Sequence, residues 1–138
     1  THRGEEAAAG WAHLQVAALG RAPGLLTIVA PCHPERGAEV AEELRKMGLR
    51  VAVRSRGDAL GPGVDAYVAD TLGELPLLYD LAEVAFVGGS LFPGGRGHNL
   101  AEAAVSGCAV LTGPHAGHFN EMARELLEID PGSLCVVS

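Results

Sequence analysis

Cysteine is scarce in this sequence, and long apolar runs are missing from it. The three cysteines, Cys32, Cys108 and Cys135, are odd in number and show no C-x-x-C spacing. That excludes a disulfide framework and a cysteine-rich zinc module, and it fits a reducing compartment. No apolar run exceeds about six residues, against the ~18 that read as a membrane-spanning helix. Basic residues thin out along the chain: residues 57–138 hold two against eleven acidic ones, whereas residues 1–56 hold eight against six. With a net charge of −7 and an acidic second half, no basic stripe is offered to nucleic acid, and the acidic surplus reads as solvated surface. No serine stands in G-x-S-x-G, and no spacing of His and Cys names a nucleophile with its base. The dinucleotide fingerprint G-x-G-x-x-G is missing after the first strand, where it would have to stand. Nineteen glycines and eight prolines follow no triplet period, which excludes collagen. The chain opens at Thr1 and shows no charged-then-apolar leader, so the expectation is a piece of a longer protein.

What is present is a folded α/β pattern. At 138 residues and 48% hydrophobic, residues 1–138 are expected to form one domain around one core, without disulfides or metal. Residues 4–19 place Ala7, Trp11, Leu14 and Ala18 on one helical stripe. Residues 25–30 (LLTIVA) read as a strand buried on both faces. Residues 37–47 carry Val40, Leu44 and Met47 at helical spacing, and Gly48 stands where a helix ends in the left-handed conformation. Val51–Val53 and residues 65–69 read as strands separated by a Gly/Pro-rich loop. Thr71 and Glu74 have capping-box spacing and predict a helix running through Leu81. Val84–Val87 predicts a strand, residues 99–106 a helix and residues 108–112 a strand. Phe119, Met122, Leu126 and Ile129 mark a last helix before a strand at residues 134–137. Cys108 and Cys135 are expected in the core, His2 and His13 on the surface. Short apolar strands alternating with amphipathic helices predict an open, doubly wound parallel sheet of Rossmann-like class.

In such sheets ligands lie beyond the carboxyl ends of the strands, so the segments following each strand carry the functional reading. Residues 31–36, 70–74, 88–102 and 113–118 are polar or Gly-rich and predict a pocket. Glycines at 88–97 leading into a helix start suit a backbone that approaches an anion, although ordinary turns are built the same way. Glu102, one turn after Asn99, suits a ribose diol, while by spacing alone a solvent-facing glutamate is the simpler account. His33 and Arg36 offer positive charge after the first strand or simply face water. His115 and His118 have no carboxylate or Cys at ligand spacing beside them, so no metal is assigned there. The residues alone therefore describe a domain for an anionic, nucleotide-like ligand, with no catalytic base, cofactor or metal.

At these same loops the sequence resembles the 3-deoxy-D-manno-octulosonic acid (Kdo) transferases. The likeness is carried by THRGEE, PCHPER, DTLGELPLLYDLAEVAFVGGS, GHNLAEAA and GPHAGHF, in order along essentially the whole chain. It implies the C-terminal, donor-binding half of a GT-B glycosyltransferase that moves Kdo from CMP-Kdo to a lipid A precursor (lipid IVA), inverting and independent of metal. The donor set it implies is Pro31, Cys32 and His33, then Leu72, Gly73 and Glu74, and then Asn99, Leu100, Ala101 and Glu102, with Gly89 and Ser90 lining the cleft. It places the general base and the acceptor site in an N-terminal half outside this chain, which alone should bind donor and turn nothing over. Three positions depart from the family's pattern: Cys32 stands for a usual Arg, Leu100 for a usual Pro, and Arg96 interrupts the glycines before His98. The residues Gly107-Cys108-Ala109-Val110 and Gly117-His118-Phe119 resemble the plant and algal branch. Peripheral membrane association is implied, on the cytoplasmic face of the inner membrane for a bacterial source or in a mitochondrion for a plant one. Two other readings are a GT-B enzyme with a uridine donor, such as an epimerase, and a non-catalytic homologue.

Overall fold

Each strand is followed by too many residues for a hairpin, and every strand pair among the described residues is accordingly parallel. The structure, a computed structural model, describes residues 1–137. The chain divides into two compact units, Thr1–Leu72 and Gly73–Ser138. The α/β class with parallel sheets is the one expected from the alternating pattern.

The first unit contains α1 (Glu5–Ala18), β1 (Thr27–Val29), α2 (Gly37–Lys46), β2 (Val51–Val53) and β3 (Ala66–Val68). β3 lies between β1 and β2, with Ala66 level with Thr27 on one side and Val51 on the other. Val40, Ala41 and Leu44 of α2 pack against Val29, Val53, Ala66 and Val68, all withdrawn from water. Each such aliphatic side chain contributes about 1.5–3 kcal/mol on burial. Gly48 takes φ +93° and ends α2, as its position predicted.

The second unit contains α3 (Leu75–Leu81), β4 (Val84–Val87), α4 (Leu100–Val105), β5 (Ala109–Thr112), α5 (Asn120–Ile129) and β6 (Leu134–Val136). Its sheet runs β4-β5-β6, with Val84 level with Ala109 and Val110 level with Leu134. Leu100, Ala103, Val110, Ala123 and Leu134 form its core, and Met122 and Leu126 close over it.

Five expectations are corrected. α1 buries Glu6, Gly10 and His13, while Trp11 is 62% exposed. The cause is Gly10: a Cβ there would stand 2.8 Å from Leu44 Cδ2, so α1 and α2 approach each other through it. Glu6 and His13, one turn to either side, are drawn inward with it. His13 is therefore buried rather than superficial, its Nδ1 2.9 Å from Thr27 Oγ1. The helix expected to open at Thr71 starts later, because α3 begins at Leu75. Gly73 at φ +82° cannot lie within a helix, and Pro76 favours a helix start beside itself. Cys135 is exposed, since only Leu134 of β6 enters the core. Ile129 is exposed because it is the last residue of α5, past the end of the core.

Candidate functional site

In the first unit the segments after β1, β2 and β3 meet at the carboxyl edge of the sheet. Pro31 is buried, whereas Cys32 and His33 are exposed. The Cys32 N–H donates to the Thr1 carbonyl at 2.9 Å, and Pro34–Arg36 then makes one 3₁₀ turn into α2. Arg36, only 12% exposed, donates to Glu6 Oε1 at 2.9 Å. Burial pulls the guanidinium's pKa down, but the bond and charge of Glu6, with Glu39 behind it, leave it raised. The Asp70 carboxylate accepts from the Ser55 backbone N–H at 2.8 Å and from its hydroxyl at 2.6 Å. Gly37 packs directly on that carboxylate, where a Cβ would not fit. Leu72 is 83% exposed.

The amino edge of the same sheet carries different groups. There a cavity of about 630 Å³ is lined by His13, Leu25, Leu60, Arg50 and Asp65. Arg50 grips Asp65 through Nε at 2.9 Å and Nη2 at 2.8 Å and holds its pKa down at about 2. It lies across the sheet from the strand-end loops that the fold class favours.

In the second unit the loops after β4 and β5 are locked together. Ser90, fully buried, donates its hydroxyl to the Val87 carbonyl at 2.8 Å and accepts the Gly113 N–H at 2.8 Å. The Ser90 carbonyl accepts the His115 N–H at 2.8 Å, and the Gly89 carbonyl accepts the Gly97 N–H at 2.9 Å. Gly95 faces the Gly89 carbonyl, Gly97 faces that of Ala116, and neither position has room for a Cβ. The glycine-rich stretch is thus a close-packed backbone platform.

That platform leads into α4. Asn99 caps it, its Oδ1 accepting the Ala101 N–H at 3.0 Å, and its Nδ2 donates to Glu102 Oε1 at 3.2 Å. Glu102 is exposed and Leu100 wholly buried. Tyr79 of α3 stands near enough that, after burial, the Glu102 carboxylate is the next cause raising its hydroxyl's pKa. Gly73 is exposed and left-handed, with Glu74 at the entry to α3.

No family model matches the chain. It is 46% identical over 138 residues to the probable mitochondrial 3-deoxy-D-manno-octulosonic acid transferase of Arabidopsis thaliana, covering 99% of this chain and 30% of that protein. It is 43% identical over 106 residues to the 3-deoxy-D-manno-octulosonic acid transferase of Bordetella pertussis, covering 76% of this chain and 24% of that one. The crystal structure of the C-terminal CMP-Kdo binding domain of WaaA from Acinetobacter baumannii superposes with a TM-score of 0.87 at 36% identity, covering all of this chain and 69% of that one. The chain belongs to the Kdo transferase family.

As a Kdo transferase chain it spans less than a third of the first two relatives. Among the described residues no helix is long and apolar enough to cross a membrane. The residues that the family resemblance picks out fall into two groups by exposure. Cys32, His33, Leu72, Gly73 and Glu102 reach solvent, and Glu74, Asn99 and Ala101 are half-buried. Pro31, Gly89, Ser90 and Leu100 are buried, so any contact through them is a backbone contact or runs through a neighbour. Sequence reasoning passed over Glu6, Asp70 and Tyr79, whose partners lie far along the chain. The one local signal was the Glu5-Glu6 pair on an otherwise Ala-rich helix start.

Proposed function

We propose that this chain is the donor-binding part of a Kdo transferase and holds the CMP moiety of CMP-Kdo. The observation that carries the reading is its 36% identity over its full length to a CMP-Kdo binding domain. In this reading Glu102 accepts the ribose hydroxyls, because it is an exposed carboxylate already oriented by Asn99. The turn at Gly73 and Glu74 meets the nucleotide through backbone amides. Cys32 and His33 offer side chains at the other loop, while Pro31, Gly89, Ser90, Leu100 and Ala101 hold backbone in place. The parent enzyme is a glycosyltransferase acting on a lipid A precursor (lipid IVA), inverting and metal-independent, with its base in an N-terminal domain. It associates peripherally with a membrane, in a mitochondrion for a plant-type source or at the bacterial inner membrane.

Titration of the chain with CMP and with UMP, followed by amide chemical shifts, tests this. Preferential binding of CMP with shifts at Gly73, Asn99 and Glu102 is expected. A preference for UMP would point instead to a uridine-donor enzyme. Failure to bind either would favour a non-catalytic homologue, a reading that Cys32 in place of the family's usual Arg supports.

A further inference from the structure

A buried charge pair stands behind the turn that follows β1. Glu6 is wholly withdrawn from water, and its Oε1 accepts from Arg36 Nη1 at 2.9 Å and from the Thr1 hydroxyl at 3.1 Å. Arg36 Nη2 also stands 3.6 Å from Glu39 Oε1, so the guanidinium links α1 to α2 while its own backbone ends the turn. Backbone bonds tie in the same residues: Cys32 N–H to the Thr1 carbonyl at 2.9 Å, and Arg36 N–H to the His33 carbonyl at 3.0 Å.

Among the described residues, the buried side-chain polar atoms without a hydrogen-bond partner are Glu6 Oε2 and Arg36 Nε. Both belong to this one pair. Desolvating two charges costs several kcal/mol per ion, and attraction offsets that only when the remaining polar atoms are satisfied. Here they are not, so the pair is a poor source of net stability. What it does supply is geometry. A planar guanidinium between two carboxylates admits few arrangements, and each fixes the course of residues 31–36.

We propose that Arg36 is a positioning residue: held by Glu6 and Glu39, it sets the turn that presents Cys32 and His33, without touching a ligand itself. That this turn serves the nucleotide rests on the donor-site reading; that the pair shapes the turn does not.

Residue-resolved amide hydrogen exchange, with CMP titration alongside, tests it on Arg36→Lys and Glu6→Gln. Lysine keeps the charge but offers a point contact instead of a fork, and glutamine keeps an acceptor for Nη1 while losing the charge. In Arg36→Lys, exchange at the Cys32 and residue-36 amides should accelerate about tenfold, the equivalent of roughly 1.4 kcal/mol. Ala66 and Ala69, whose amides bond to Arg50 and Val29 carbonyls in the sheet, should stay as protected as in the parent. Glu6→Gln should fall between the two, and it carries the same comparison if Arg36→Lys does not fold. Unchanged protection at Cys32 would overturn the proposal. So would a uniform loss across the sheet, which would make the pair a stability element only. A loosened turn with weaker CMP binding supports the link to the donor, and a loosened turn with unchanged CMP affinity breaks it. A parent that binds no CMP sinks the donor reading alone, and the exchange pattern still decides the role of Arg36.

Discussion

Ser90 and Gly113 are joined by a buried hydrogen bond of 2.8 Å from the Gly113 amide to the Ser90 hydroxyl, 23 residues away in sequence. One small side chain thereby welds the segment leaving β4 to the segment leaving β5. Ser90→Ala removes the acceptor and leaves a buried amide unpaired, at a cost of about 1–3 kcal/mol. A clear fall in the thermal midpoint is expected, and an unchanged midpoint would show that water replaces the hydroxyl.

Glu102 is the opposite case, an exposed carboxylate whose loss leaves the core untouched. Glu102→Ala is expected to weaken CMP binding by about 1–3 kcal/mol, because charge-assisted bonds to the ribose are lost. The thermal midpoint should hold within a degree or two of the parent's, so that binding and folding separate. Equal CMP affinity in variant and parent would remove Glu102 from the donor site.

Gly97 combines φ +66° with a backbone carbonyl, that of Ala116, where a Cβ would have to go. Gly97→Ala therefore strains the backbone and forces the two loops apart, at a cost of about 1–3 kcal/mol. Urea unfolding of the variant measures this. A midpoint equal to the parent's would mean that the loops yield freely, and that the platform is not rigid.

Acid stability should carry the signature of Asp65. Its pKa lies near 2 in the fold against 3.8 ordinarily, chiefly through hydrogen bonding to Arg50. The stabilisation is present in full above pH 4 and drains away as pH falls from about 4 towards 2. In Arg50→Met that portion of the acid-unfolding curve should flatten. An identical curve in parent and variant would show that solvent screens the pair completely.

The elements were legible where one short-range signal sufficed. Asn99 marked the start of α4, and Gly48 the end of α2, because a cap and a left-handed turn are local demands. The buried face of α1 was not legible, since it is decided by Gly10 meeting Leu44, a contact between helices. The Thr71–Glu74 spacing placed the start of α3 too early, because Gly73 and Pro76 decide where it begins. At the candidate site the strand-end loops could be picked from the sequence, and so could the family. Which side chains turn inward could not: Ser90 and Leu100 sit beside the half-buried Leu91, Asn99 and Ala101, and only tertiary packing separates them. Glu6 and Arg36 lie 30 residues apart, beyond any periodicity.

The inward turn of Glu6 and His13 leaves Trp11, the sole tryptophan, on the open side of α1. Indole emission will therefore already resemble that of a hydrated fluorophore in the native protein and will change little on denaturation. Melting and ligand studies of this chain should instead be followed by far-ultraviolet ellipticity or by nuclear resonance.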